Sequence, residues 1–464
     1  MIETEIAVVG AGPAGLSAAV EASLTGASVA IVDEYHRPGG QYFKQLPATF
    51  KPLDRFAVGL EYGRGLKLME EVQNGNIRLF TDSLVWAAFE PGILEIYREG
   101  ECQRLRAERT IVSTGAYDRP VPFPGWTLPG VTTAGAAQTL VKSQRVLPGR
   151  RVLLAGTGPF LLPVAAELLS GGAYVVGLLE ASRTSEWLRG LPCSWRHAGK
   201  IREALGYLLP LLRAKVLIRT GWTVFEARGS ERVEQAVIGQ LDRYGRPIPG
   251  TEELLEVDTI CTGFGFIPSL QLPRLLGCES KWDADVAGWV SVADRDQRST
   301  VPTVFVAGEA TGIGGHDVAL GEGAIAGVKA ATDLGKLTSA QAEDRLAMVR
   351  RELSRHREFA TYLNRTFAFK EGLMDLMHED TVLCRCEEVT VGEVVRAARE
   401  WGATRTIKQL TRAGMGQCQG RICGTLVAQI AARESGKTMQ EIGLDSPRPP
   451  IKPIPLGALA RLDL

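Results

Sequence analysis

Four cysteines and one glycine turn are the residues of this chain best spaced for chemistry. Cys384 and Cys386 stand at Cys-x-Cys spacing, and Cys418 and Cys423 follow at Cys-x-x-x-x-Cys spacing. They place four soft thiolates in one short region, enough for a tetrahedral zinc or for a [2Fe–2S] cluster with two ligands per iron. Near the start of the chain, Ile6-Ala-Val-Val runs into Gly10-Ala-Gly12-Pro13-Ala14-Gly15. Gly10 permits a tight turn, Gly12 lets the backbone approach a pyrophosphate, and Gly15 lets the next helix pack close to the strand. That helix, opened by Pro13 and Ala14, would aim its N-terminal N–H groups at the phosphates.

A glycine turn binds a dinucleotide only between the right elements. Here an Ala-rich helical pattern runs from Leu16 to Leu24, and an apolar strand from Ala27 to Val32 ends in Asp33 and Glu34. Asp33 is placed to accept hydrogen bonds from a ribose hydroxyl. For the cysteines, zinc ribbons favour Cys-x-x-Cys hairpins, which are missing, and glycines around Cys418 and Cys423 would let N–H groups reach inorganic sulfides. The pattern favours [2Fe–2S]. Cys102, Cys193, Cys261 and Cys278 are scattered singly, so neither a disulfide framework nor a redox-active pair is expected.

The 464 residues are enough for two or three domains, and 53 basic against 53 acidic residues give no electrostatic reason to expect nucleic acid or a membrane surface as partner. No apolar run is long enough to span a bilayer. The start Met-Ile-Glu-Thr-Glu is acidic and enters a core strand at once, which predicts a cytoplasmic protein, with docking to a membrane through a larger complex as the other expectation.

Along the chain, Pro38-Gly-Gly40-Gln41 reads as a loop beyond the second strand that could run along a flavin. A strand over Arg109–Ser113 opens into Thr114-Gly115, small enough to pass close to a cofactor. The opening pattern then recurs: Arg151 to Ala155 leads into Gly156-Thr-Gly158-Pro-Phe-Leu161, and Tyr174 to Leu179 ends in Glu180. Leu161 replaces the third glycine, which should force a different turn. Glu180 is placed for a ribose hydroxyl, so NAD(H), ATP or no nucleotide at all are the readings of this second unit. Cys193 reads as a buried hydrophobe and His197 as a solvated polar residue. A helix is expected from Ile201 to Leu212 and strands from Val216 to Ile260. Then come Thr262-Gly263, a strand over Val301–Ala307 entering Gly308-Glu309, and a helix from Ala319 to Leu334; His316 could touch a flavin, and Asp317 is read as the helix cap. Residues 338–376 form a charged helical connector, a helix is predicted over Val391–Trp401, and the Pro-rich tail reads as an extended arm along another surface.

Gly10, Gly12, Gly15 and Asp33, then Thr114-Gly115, Thr262-Gly263 with Pro268, and Val306-Ala-Gly308-Glu309 fall in the order of two-dinucleotide-domain flavoproteins. Over about residues 3–335 the chain resembles the pyridine-nucleotide disulfide reductase fold. The resemblance implies FAD in the first unit and a ribitol contact for Glu309, where the family usually carries Asp. It lacks that family's cysteine pair. The four-cysteine stretch resembles the [2Fe–2S] domain of bacterioferritin-associated ferredoxin. With Pro124-Gly-Trp-Thr-Leu-Pro-Gly130 and the Pro-rich tail, the full length is similar to the alpha (A) subunits of bacterial opine oxidases, of proline and hydroxyproline dehydrogenases and of hydrogen cyanide synthase.

The expected architecture is therefore α/β. A discontinuous FAD-binding domain (1–120 and 263–335) encloses a second Rossmann-like domain (121–262), followed by a helical linker (336–380), a helical [2Fe–2S] domain (381–440) and a tail (441–464). The resemblance implies an electron relay paired with a glycine-oxidase-like beta subunit, room for a further small subunit, and an FMN between subunits that no motif places. A self-contained NAD(P)H-dependent reductase, a subunit of hydrogen cyanide synthase, and an ATP-binding scaffold are the rival readings. No catalytic acid–base or nucleophile set is evident.

Overall fold

The computed structural model describes residues 1–47, 49, 50, 60–187 and 198–461; Cys193 and His197 lie outside them. The first sheet is built on β1 (Ile2–Val9), whose last four residues are fully apolar and buried, as a parallel strand covered on both faces must be. β1 pairs in parallel with β2 (Val29–Val32) and with β6 (Glu101–Val112). β3 (Ile77–Phe80) extends one side, and β4 (Leu84–Glu90) and β5 (Ile93–Arg98) fold back antiparallel on β6. The strand expected over Arg109–Ser113 is thus the end of a longer one, because alternating charged residues before it pair with the meander.

From this sheet the chain leaves through β7 (Ala116–Asp118) and builds a second parallel sheet. β8 (Val131–Thr133), β9 (Arg151–Gly156), β10 (Tyr174–Glu180), β11 (Leu217–Thr220) and a later strand, β15 (Thr259–Gly263), lie in the order β11-β10-β9-β15-β8. Three antiparallel strands, β12 (Trp222–Arg228), β13 (Gln235–Gln240) and β14 (Glu253–Glu256), cover one face. The chain returns through β16 (Phe266–Pro268), which pairs antiparallel with β7 as Phe266↔Asp118 and Pro268↔Ala116. That two-strand ladder joins the two units. A hairpin of β17 (Ser280–Asp283) and β18 (Gly288–Ser291) precedes β19 (Val304–Val306), which closes the first sheet beside β6.

Two helices decide how the first sheet presents its cleft. α1 (Pro13–Ser23) and α2 (His316–Asp333) cross with almost no side chain between them. A Cβ on Gly323 would lie 2.1 Å from the Ala14 carbonyl oxygen, and one on Gly327 2.2 Å from that of Ala18. The glycines, one turn apart, let the backbones touch, so both N-termini open onto the same cleft. The next helix, α3 (Ser339–Thr366), starts at a Thr338–Gln341 capping box and buries Leu346 and Leu353 against α2.

The C-terminal region has its own core, with Leu383, Val394, Ile407, Leu426 and Ile430 at its centre. It consists of β20 (Val382–Cys384), β21 (Val389–Thr390), α4 (Val391–Trp401), α5 (Thr404–Thr411) and α6 (Gly424–Ser435). α4 has the predicted bounds, set by a Thr390–Glu393 capping box and left-handed Gly402. The Pro-rich tail lies on the chain's own surface: Ile451 is buried, its N–H donates to the Trp86 carbonyl at 2.8 Å, and Lys452 pairs with Glu34. Among the described residues no helix is long and apolar enough to cross a membrane.

The α1–α2 contact yields a contrast. Gly323→Ala and Gly327→Ala should each destabilise the protein by about 2 kcal/mol through overpacking. Gly206→Ala, where the added carbon meets nothing within 4 Å, should stabilise by up to ~1 kcal/mol. Urea unfolding of the three variants would show the opposite signs.

Candidate dinucleotide and four-cysteine sites

The first glycine turn is held by its own acid. Asp33 is buried, and its carboxylate accepts from the Ala11 N–H at 2.5 Å and the Tyr35 N–H at 2.8 Å. Asp33 therefore pins the loop, and burial keeps its carboxyl above the usual carboxylate range. The exposed neighbour, Glu34, faces Lys452. Gly10 has φ +103°, and a Cβ there would lie 2.4 Å from the Ser113 oxygen; one on Gly15 would lie 1.8 Å from the Gly10 oxygen. Gly12 is different: its nearest atom would be Gly40 Cα at 3.9 Å, so that side is open. The N–H groups of Gly12, Ala14 and Gly15 donate to no acceptor among the described residues. Three unspent donors at a helix start form a cradle that fits a pyrophosphate.

Around this cradle the other predicted residues gather. Gly39 donates to the Ala11 carbonyl at 2.7 Å, which lays Gly40 across Gly12, while Gln41 points out to Tyr35. Thr114 Oγ1 is tied to the Ser269 carbonyl at 3.0 Å, and Gly115, with φ +71°, has open space beside it. A Cβ on Gly308 would lie 3.0 Å from that of Ala14, and the Gly308 N–H goes to Glu322, a buried carboxylate that also accepts from Thr311 and Arg357. Half-buried Glu309 accepts from the Gly315 N–H at 2.8 Å, but burial, helped by the nearby Glu322 charge, pushes its carboxyl up to about 7. His316 stacks on Tyr42, with ring centroids 3.7 Å apart. Asp317 does not cap α2; the cap is Gly315, without a side-chain bond, and Asp317 pairs with Lys200 at 3.0 Å. The ion pair across elements outcompetes the local cap.

The second glycine turn has a different geometry. Gly156 lacks the positive φ of Gly10, and the positive φ moves to Gly158, at +114°. Leu161 is buried under Gly263 and Ala134, and the helix that follows (Leu161–Ser170) begins five residues after Gly156, whereas α1 begins three after Gly10. Glu180 repeats the pinning of Asp33 one residue further along, accepting from the Gly158 N–H at 2.9 Å and from Ser182. The first-turn donors are spent: Leu161 N–H goes to Gly158, Leu162 N–H to Pro159 and Val164 N–H to Phe160, and Pro163 has none. Among the described residues the Phe160 N–H is the one donor of that turn without an acceptor, against three at the first glycine turn.

The cysteine loops converge in two pairs. Cys384 and Cys423 are buried, free and hydrogen-bonded to each other, which holds the Cys384 thiol down at about 5 and pushes that of Cys423 well up. Cys386, exposed, faces Cys418. Cys384 also accepts from the N–H groups of Gly414, Cys386 and Glu387. Gly416 has no room for a side chain, since a Cβ would lie 2.2 Å from that of Cys386. Among the described residues no three metal-ligating side chains converge as a single-ion site. Two thiol pairs, with backbone donors on Cys384 and Cys386, fit a cluster that takes two thiolates per iron.

Some residues of this region carry no motif. Lys44, buried, reaches the Thr139 hydroxyl across the two units, and burial lowers its ammonium to about 8. Asp118, bonded to Thr133 Oγ1 at 2.5 Å, is shifted upward by burial. Only their distance in sequence hides them. Arg421, inside the Cys-x-x-x-x-Cys loop, could have been singled out from its position.

The fold and these sites define a flavoprotein oxidoreductase: residues 4–335 match the pyridine nucleotide-disulphide oxidoreductase family, to which the chain belongs, and residues 379–461 match the sarcosine oxidase A3 domain. Within that class it is a relative of the opine oxidase A-type chains. It is 31% identical to the A-type chain of opine oxidase from Rhizobium meliloti, covering 99% of this chain and 87% of that one. It is 30% identical to the hydrogen cyanide synthase subunit HcnB of Pseudomonas protegens, covering 98% and 97%. The crystal structure of L-proline dehydrogenase from P. horikoshii superposes with a TM-score of 0.72 over 99% of this chain and 80% of that one, at 21% identity, which bears on fold alone.

Glu309 gives the site a pH signature. Its ordinary value is 4.5 and its folded value about 7, so the folded chain binds more protons between them. Stability should fall by roughly 1–3 kcal/mol as pH rises through that window and level off above it. Glu309→Gln should flatten this slope in urea midpoints measured from pH 4.5 to 8.

Proposed function

We propose that this chain is the FAD- and [2Fe–2S]-containing electron-transfer subunit of a heteromeric dehydrogenase acting on an amino acid or opine, a secondary amine of the proline type among them. The observation that carries this reading is the contrast between the two glycine turns. Donors for a dinucleotide remain unspent at Gly12, Ala14 and Gly15, whereas after Gly158 those of Leu161, Leu162 and Val164 are bonded within their own turn and only that of Phe160 is left among the described residues. A chain that holds one dinucleotide and lacks a built nicotinamide site needs another source of electrons. Its relatives in opine oxidase and hydrogen cyanide synthase are named as subunits, which supports a partner as that source. A beta subunit of the glycine-oxidase type is the one we assign.

In this reading Gly10, Gly12, Pro13, Ala14 and Gly15 hold the pyrophosphate, Glu34 beside the loop-pinning Asp33 faces the ribose, and Gly40, Gln41, Thr114, Gly115, Gly308 and Glu309 line the rest of the FAD. Cys384, Cys386, Cys418 and Cys423 hold the iron. When bound, FAD accepts electrons in pairs and the cluster passes them singly. The protein's own residues orient the two: β7 leaves the Thr114-Gly115 loop and its Tyr117 lies against Arg421 of the cysteine domain. Gly156, Gly158 and Glu180 serve to fold the second unit.

The purified chain should contain iron and acid-labile sulfide in equal amounts, and Cys418→Ala should lose both. NADH added to the isolated chain should leave the flavin absorbance unchanged over minutes, whereas the native complex with its amine substrate should bleach it. Rapid bleaching by NADH would replace the relay by the self-contained reductase. Purification from the native host without a flavoprotein companion would remove the heteromeric assignment.

A further inference from the structure

One of the places where the cysteine domain meets the dinucleotide domains is a short strand, β7. Successive side chains of β7 point to opposite faces. Asp118 turns to Thr133 and the Lys44 side, while Tyr117 and Arg119 share the other face. There the Arg421 guanidinium lies 5.9 Å from the Tyr117 ring centroid. Its Nη1 donates to the Cys418 carbonyl at 3.0 Å and its Nη2 to the carbonyl of Ile451 in the tail. Arg119 lies 5.1 Å over the Phe369 ring and donates to the carbonyls of Phe266 at 3.2 Å and Val286 at 2.9 Å. Phe369 packs against both the core of the second unit and that of the cysteine domain.

Both arginines are buried, with 2% and 8% of their surface exposed. Neither has a carboxylate within ion-pair distance among the described residues, and Arg119 Nη1 and Arg421 Nε have no acceptor. Burying a cation without a counter-ion costs several kcal/mol, and an apolar side chain of similar size would fill the space without that cost. Packing alone does not account for two such groups at one junction. A charge they could compensate does.

We propose that Arg421, assisted by Arg119, is a positioning residue that holds the cysteine loop on β7 and keeps an uncompensated positive charge there to favour the reduced cluster. This rests on the [2Fe–2S] reading above. Reduction adds one electron, drawn from the reduced flavin, and therefore one negative charge; no bond to a cysteine breaks. In a buried setting that charge interacts with a nearby guanidinium more strongly than it would in water. Cluster potentials follow local charge and hydrogen bonding, so the effect appears as a potential.

The test uses the full chain with its cluster and flavin as purified, and compares Arg421→Gln with Arg421→Lys by redox titration of the reduced-cluster EPR signal. Arg421→Gln should shift the midpoint to more negative potential with unchanged iron and sulfide, and Arg421→Lys should restore most of it by returning the charge. If Arg421→Gln does not load its cluster, Arg119→Gln, which touches no cysteine loop, should show a shift in the same direction. An unchanged midpoint in a loaded variant overturns the proposal, as does an equal shift in the Lys and Gln variants, which would make Arg421 a matter of geometry alone. A wild-type chain without iron and sulfide would instead overturn the underlying reading.

Discussion

The close approach of α1 and α2 is the constraint on which the dinucleotide site depends. With Gly323 and Gly327 set directly on the carbonyls of Ala14 and Ala18, the helices cannot slide or separate without losing the contact. This lock fixes where two helix N-termini open, and so where two sets of backbone donors and two positive dipole ends face. Gly308 against Ala14, the Glu322 carboxylate on the Gly308 N–H, and the Glu309 bond to Gly315 all follow from that placement. A larger side chain at either glycine would spread the cleft.

The two dinucleotide units show how one residue redirects a shared plan. Both pin the glycine loop with the acid at the end of the second strand, Asp33 in one and Glu180 in the other. Glu reaches one residue further, to Gly158, and Leu161, buried, stands five residues after Gly156 as Gly15 stands five after Gly10. The helix then starts later and its first donors turn inward. An acid, two glycines and a strand order are thus not sufficient for a nucleotide site; the donors must remain unspent.

A charged contact is one of those that join the cysteine domain to this frame. Two buried guanidiniums, the Tyr117 ring and Phe369 connect β7 with the loop that carries Cys418 and Cys423. A strand that starts at the dinucleotide loop and sets Tyr117 against Arg421 gives the two sites a direct connection. The Trp126 indole adds a second tie by donating to the Val382 carbonyl at 2.6 Å.

Much of this was legible in the residues themselves. The alternation of strand, glycine turn, helix and acid marks both dinucleotide units, because those turns accept few other residue types, and the four cysteines announce their own chemistry by spacing. Leu161 signalled that the second turn would differ. What tertiary structure alone decided is which donors and charges remain available. Asp33 and Glu180 look alike as ribose ligands in sequence, and the fold adds that each carboxylate accepts from the N–H groups of its own loop. Asp317 looks like a cap and is drawn to Lys200 instead. Lys44 and Asp118, Arg119 and Arg421 are ordinary charged residues until the fold buries them, and burial depends on contacts between segments hundreds of residues apart. The chain determines its turns by local conformational demand; only the packed protein determines which polar groups are left to act.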